Sequence, residues 1–335
     1  MALSRARSSV GFDVGDPLLE AELVGGLDAV ETALDVAVKS DDPFVAETSR
    51  HLLEAGGKRF RPLLVLLAAQ YGDPTAAGVV PAAVVVELTH LATLYHDDVM
   101  DEAARRRGAE SANSRWDNSV AILTGDYLFA RASDILADLG PEAVRLQART
   151  FERLCVGQIR ESVGPSNAES AVDHHLSVLA DKTGSLIATS ARFGALQSGA
   201  SDTVVEALTR FGERIGVAFQ LADDLVDITS DPQESGKTPG TDLREGVPTY
   251  AGLLVLQNAE PADSRLVELL RRPLPVDAEL DEALALLRAH QALAGARSTA
   301  QRWADDARQC LAPLPDSPVT GALNQLCDYV VQRTS

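Results

Sequence analysis

The chain has 335 residues, 45% of them hydrophobic but only 4% aromatic, and carries a formal net charge of -19. That length and apolar content suffice for a large packed core, the acidic balance repels polyanions and excludes nucleic acid as a partner, and abundant Ala, Leu and Val with few aromatics favours helices over sheets. Cys155, Cys310 and Cys327 are widely spaced, which excludes a disulfide framework or structural zinc site and fits a reducing cytoplasm.

In chain order, residues 1 to 15 lack periodicity and are expected to form a disordered tail, with no apolar run of signal-peptide length. Residues 16 to 335 read as one domain without linkers or repeats. Apolar residues recur at helical spacing from Leu18, Leu19 and Leu23 through Leu27, Val30 and Leu34. Breaks are expected at Gly56-Gly57, Gly72-Asp73-Pro74, Gly140-Pro141, Gly164-Pro165, Ser230 to Pro248, Arg271 to Pro275 and Pro313 to Pro318. The intervals have helix length and no strand alternation, so an all-α domain of about ten or more helices is expected. The longest apolar stretch, Ala76 to Leu94, is interrupted by Pro81, Glu87 and His90 and reads as too polar for a membrane span.

One acidic device occurs twice. Tyr95-His96-Asp97-Asp98-Val99-Met100-Asp101 echoes Leu221-Ala222-Asp223-Asp224-Leu225-Val226-Asp227, each at the end of an apolar helical segment. On a helix Asp97 and Asp101 share a face, about 5 to 6 Å apart, and Asp223 and Asp227 repeat the geometry. Like charges at that spacing, near a helix C-terminus, call for a cation. Oxygen-only donors favour a hard ion such as magnesium, which takes one or two carboxylates plus water and phosphate oxygens. A single acidic pair is as readily a solvated helix end; two matching copies with buried lead-ins are not.

Against the acidic background the cations are placed selectively. Gly56-Gly57-Lys58-Arg59-Phe60-Arg61-Pro62 joins two helical segments with free backbone, a point charge and a bidentate fork, the makings of a diphosphate pocket. Arg106-Arg107-Gly108 follows the first acidic cluster. Lys39, Lys58, Lys182 and Lys237 are the only lysines in the chain, and the last three lie in glycine-bearing contexts.

With these motifs in hand, together with Gly125-Asp126-Tyr127-Leu128 and Phe219-Gln220, the sequence resembles the trans-polyprenyl diphosphate synthase family from about Leu18 to Arg333. The resemblance implies a single-domain bundle of antiparallel helices around a deep central cavity. It implies that Lys58, Arg61, His90 and Arg107 hold isopentenyl diphosphate, and that Arg106, Lys182, Thr183, Gln220 and Lys237 hold an allylic prenyl diphosphate. Asp97, Asp101 and Asp223 would ligate two or three magnesium ions. These three aspartates with Lys182 and Lys237 form the implied catalytic set. Val247 and Glu110 depart from the family pattern without touching the implied metal ligands.

The implied reaction is loss of diphosphate from an allylic carbon and capture of the cation by isopentenyl diphosphate. Thr93 and Ala92, with Thr89 a turn further, precede Asp97 on its helix and would line the product tunnel; none is aromatic, which favours products of about C30 or longer. A C15 to C25 synthase and a non-catalytic regulatory subunit are the alternatives, together with a cyclase, against which the Gly56 to Pro62 loop argues. The family expectation is a cytoplasmic homodimer, peripheral to the membrane to which its product is delivered.

Overall fold

Asp16 and Asp42 each precede a proline, and each carboxylate accepts two backbone N–H groups of the helix it opens, α1 (Pro17–Ala37) and α2 (Pro43–Glu54). There follow α3 (Phe60–Ala69), α4 (Val79–Met100), strands β1 (Arg105–Arg106) and β2 (Ala109–Glu110), α5 (Ala112–Arg115), α6 (Asn118–Leu139), α7 (Pro141–Val163) and α8 (Ala171–Leu179). A π-helical turn, Ala180–Gly184, leads into α9 (Ser185–Gln197), then α10 (Asp202–Thr229), α11 (Thr241–Glu245), α12 (Tyr250–Gln257), α13 (Ser264–Leu270), α14 (Asp277–Ala289), α15 (Gln291–Cys310) and α16 (Pro318–Gln332). The computed structural model describes residues 10–166, 168–230 and 239–333, all-α among these apart from the two short strands.

The breaks read from glycine and proline coincide with helix ends except in the Ser230 to Pro248 interval, which contains the short helix α11 and of which residues 231–238 lie outside the described residues. Helix ends that carried no such pair were invisible in sequence. Gly199 closes α9 in the left-handed region, with φ of 75°. At His290 the chain turns between α14 and α15, and Nδ1 accepts the N–H of Ala292.

Packing divides the chain into two compact units. The first comprises Met1–Phe151, Leu186–Gly212 and Pro313–Gln325. Its central element is α4, in which every residue from Ala82 to Thr89 is buried. Among the described residues α4 is the one helix long and apolar enough to cross a membrane, yet an all-round apolar helix is equally the core of a large soluble unit. This helix packs against α1, α3 and α6, and Leu88 and Leu91 of α4, Leu23 and Leu34 of α1, Leu63 and Leu67 of α3, Leu128 of α6 and Phe193 of α9 are all fully buried. Each such side chain contributes roughly 1.5–3 kcal/mol. α6 runs against α4 at Gly125, where an added Cβ would lie 3.0 Å from the carbonyl oxygen of Ala92. Leu18 departs from the apolar stripe of α1 and is exposed. Val10, Phe12 and Val14, expected in a disordered tail, are buried.

The second unit comprises Glu152–Ser185, Glu213–Ala312 and Leu326–Ser335. Its core joins Val217, Leu221, Leu225 and Ile228 of α10 to Tyr250 and Val255 of α12, Leu269 of α13, Leu284 and Leu287 of α14, and Leu293 and Ala300 of α15.

Candidate active site

In the first unit the acidic cluster ends α4. Asp97 is half-buried and Asp101, the C-cap, is exposed, while Asp98 between them is fully buried. Asp98 Oδ1 accepts Arg106 Nε at 2.6 Å, and the same guanidinium lies 3.7 Å from Asp101. Burial raises the Asp98 carboxyl above its ordinary value, and Arg106 opposes the shift. The middle aspartate thus folds the following segment back onto the helix. That segment is a two-residue hairpin pairing Arg105 with Glu110 and Arg106 with Ala109. Arg107 and Gly108 at its tip both have positive φ, 52° and 80°, as a type I′ turn requires.

The hairpin tip reaches the basic loop. Arg107 Nη1 donates to the carbonyls of Gly56 and Leu52. Lys58 is exposed on that loop, Arg61 half-buried, and Arg59 buried against Glu31 and Glu87. The three cations adjacent in sequence therefore differ in role: Arg59 is a strut. His90, half-buried on α4, is held well below its ordinary pKa by burial and then by Arg61, Arg107, Arg106 and Arg59. It is neutral at physiological pH and sits among cations, the surroundings of an anion site. Tyr95 ties α4 to α2, its hydroxyl bonded to Thr48 and Leu52.

The residues expected to line a product tunnel lie on α4. Thr93 is half-buried and donates to the carbonyl of His90. Ala92 is buried on the Gly125 side. Thr89 is fully buried; it donates to Val85 and accepts Gln147 Nε2 at 2.6 Å.

In the second unit the other acidic cluster lies near the end of α10, and its three aspartates have distinct partners. Asp223 Oδ1 accepts Arg333 Nη2 at 2.6 Å, and that guanidinium lies over the Phe219 ring. Asp224 is buried and faces His175, the Tyr250 N–H and Gln220. Asp227 accepts the N–H groups of Thr241 and Asp242 and so starts α11. The sequence echo between the two clusters is therefore not a structural echo.

Lys182 and Thr183 occupy the π-helical turn, a form that concentrates at functional sites because it re-aims side chains within a helix. Lys182 Nζ donates to Glu161 and Thr183 Oγ1 to Gln220. Arg153 holds the turn through Asp181 at 2.9 Å and the Ala180 carbonyl, and ties it to α10 through Glu213 at 2.7 Å. On the facing helix, a Cβ on Gly157 would lie 2.8 Å from the Lys182 nitrogen. Lys237 lies outside the described residues.

The sequence profile of polyprenyl synthetases matches residues 42–287. The chain belongs to the polyprenyl synthetase family. A nonaprenyl diphosphate synthase from Mycobacterium tuberculosis is 50% identical over 96% of this chain and 97% of that protein. A dimethylallyltranstransferase from the same organism is 39% identical over 95% and 97%. A geranylgeranyl pyrophosphate synthase from Corynebacterium glutamicum, solved complexed with calcium and isoprenyl diphosphate, superposes with a TM-score of 0.87 at 44% identity, over 96% of this chain and 99% of that one.

This synthetase is a transferase of prenyl groups, with the all-α fold of its family. Sequence reasoning missed Arg59 and Glu87 as partners, the bracing of the π turn by Arg153 and Gly157, and Arg333. Only Gly157, beside Gln158, carried a hint, since glycine within a helix costs about 1 kcal/mol relative to alanine and needs a reason. Among the described residues no three His, Cys, Asp or Glu side chains form a ready-made metal cage. One or two carboxylates sharing a hard divalent ion with water and phosphate oxygens fit that donor set; a four-ligand soft-metal site does not.

The Asp242 carboxyl is pushed up to about 8 by burial and then by Asp227, Asp224, Glu245 and Glu161. A carboxyl whose folded pKa is raised binds more protons folded than unfolded between its ordinary value of about 4 and that shifted value. The metal-free synthetase is therefore expected to lose stability as pH rises from 4 to about 8. Asp242→Asn should flatten that slope and raise Tm at pH 8 by roughly 2–4 °C per kcal/mol recovered. Calorimetry in EDTA across this range checks it; parallel slopes for both proteins would reject it.

Proposed function

We propose that this synthetase condenses isopentenyl diphosphate head-to-tail with an allylic prenyl diphosphate, giving all-trans products of about C30 or longer. The observation that carries the reading is the cationic face of the first unit, where Arg61, Arg106 and Arg107 surround a neutral His90 two turns before Asp97. Lys58, Arg61, His90 and Arg107 bind isopentenyl diphosphate. Arg106, Lys182, Thr183, Gln220 and Lys237 bind the allylic diphosphate. Asp97, Asp101 and Asp223 hold magnesium, two or three ions, which when bound offsets the charge of the departing diphosphate. The side chains orient the two substrates so that the double bond meets the allylic cation. No side chain is assigned as general base.

The product length is supported by Thr93, Ala92 and Thr89, none of them bulky, and by the likeness to a nonaprenyl synthase; the likeness to a geranylgeranyl synthase keeps C20 as the alternative. Ile122 and Leu123, adjacent on α6, are exposed large apolar residues, which supports a homodimer that buries them. The enzyme would act in the cytoplasm and pass its product to the membrane.

The test is incubation with magnesium, labelled isopentenyl diphosphate and C10, C15 or C20 allylic diphosphates, followed by sizing of the dephosphorylated products. Products of C30 or more are expected. Arrest at C15 or C20 would overturn the length, and no incorporation with any primer would overturn the reaction.

A further inference from the structure

A buried carboxylate needs partners, and Glu87 has two arginines from separate segments. Its side chain, 2% exposed on α4 one turn before His90, accepts Arg59 Nη1 at 3.0 Å and lies 3.6 Å from Arg107 Nη2. Arg59 belongs to the basic loop and Arg107 to the hairpin tip. Both adopt positive φ, 47° and 52°, a region that costs a residue with a Cβ and persists only where surroundings enforce it. Gly57 leaves the space: a Cβ there would stand 3.0 Å from the Arg107 guanidinium. Glu31, the other carboxylate on Arg59, is 45% exposed and is not paired with Arg107.

We propose that Glu87 is a positioning residue for isopentenyl diphosphate, a single buried carboxylate that fixes both arms of the cationic pocket. This rests on the reading of that pocket given above. Glu87 touches no substrate. It acts through Arg107, which it orients, and through Arg59, which anchors the loop carrying Lys58 and Arg61.

The sign of one measurement separates positioning from simple charge balance. If Glu87 only offsets positive charge, neutralising it makes the pocket more cationic and tightens an anion. If it positions, neutralising it releases two forks and weakens the anion. Isothermal titration of the full chain in EDTA, with isopentenyl diphosphate and separately inorganic pyrophosphate, should show Glu87→Gln and Glu87→Asp each binding about tenfold or more weakly than wild type, with Glu31→Gln near wild type. In steady state the KM for isopentenyl diphosphate should rise at least tenfold while the KM for the allylic substrate stays within about twofold. Glu87→Asp keeps the charge and shortens the reach, so it reports on positioning even where the glutamine variant fails to fold. Unchanged or tighter binding by Glu87→Asp, or equal weakening by Glu31→Gln, overturns the proposal. Failure of wild type to bind either anion instead overturns the pocket itself, and Glu87's role with it.

Discussion

Asp97→Asn is expected to lower kcat by about a thousandfold while the metal-free protein keeps its fold. Asparagine preserves size and removes the charge, so under the metal role proposed for Asp97 what would be lost is the contribution of a metal-held diphosphate to the transition state, several kcal/mol; about 4 kcal/mol corresponds to that factor. Asp97 is half-buried on the last turn of α4, one turn from Asp101, where a second carboxylate near a helix C-terminus is unfavourable without a cation. The neighbouring change gives the opposite signature. Asp98→Asn leaves Arg106 with Asp101 at 3.7 Å as its remaining carboxylate partner, and breaking a buried pair costs about 3–5 kcal/mol. Melting curves with and without magnesium plus inorganic pyrophosphate separate the two. Asp97→Asn should lose the ligand-induced rise in Tm, whereas Asp98→Asn should lower Tm in both conditions. A kcat for Asp97→Asn within about threefold of wild type would remove Asp97 from the metal site.

Gly157→Ala is expected to cost about a hundredfold in kcat/KM for the allylic substrate. The added methyl would stand 2.8 Å from the Lys182 nitrogen and 3.1 Å from Asp181 Cβ. These are backbone and near-backbone atoms, so the π turn must move rather than a flexible side-chain end. Arg153 grips that turn at two points, the Asp181 carboxylate and the Ala180 carbonyl, and is itself anchored to Glu213 of α10; a displacement near 1 Å of Lys182, proposed to position the allylic diphosphate, costs about that factor. The KM for isopentenyl diphosphate, whose proposed ligands lie elsewhere, should change little. Gly25→Ala is the control: on α1 nothing lies within 4 Å of an added Cβ, so activity should be unchanged and stability up by as much as ~1 kcal/mol. Equal losses for both substrates with Gly157→Ala would point to general disruption instead of a misplaced Lys182.

Much of this protein was legible in its sequence because the signals are local. Helix periodicity and Gly/Pro stops depend on residues a few positions apart, which is why the expected breaks other than Ser230 to Pro248 coincide with helix ends. The spacing of Asp97 and Asp101 on one face of α4 was equally readable, whereas the burial of Asp98 beside them was not. Charge scarcity did the rest: with lysines at only four positions, those beside glycines stood out.

Tertiary structure alone decided what depends on distant partners. Asp227 matches Asp101 in sequence yet caps α11 through residues 241 and 242, because its surroundings are set by a chain segment fourteen residues on. Arg59 sits between Lys58 and Arg61 but turns inward, because Glu31 and Glu87 on two other helices offer it buried carboxylates. No periodicity marks the π turn at Ala180–Gly184, which is held by Arg153 and accommodated by Gly157 on a helix more than twenty residues earlier. Local pattern specifies which face of a helix a side chain occupies; only packing specifies what that face meets.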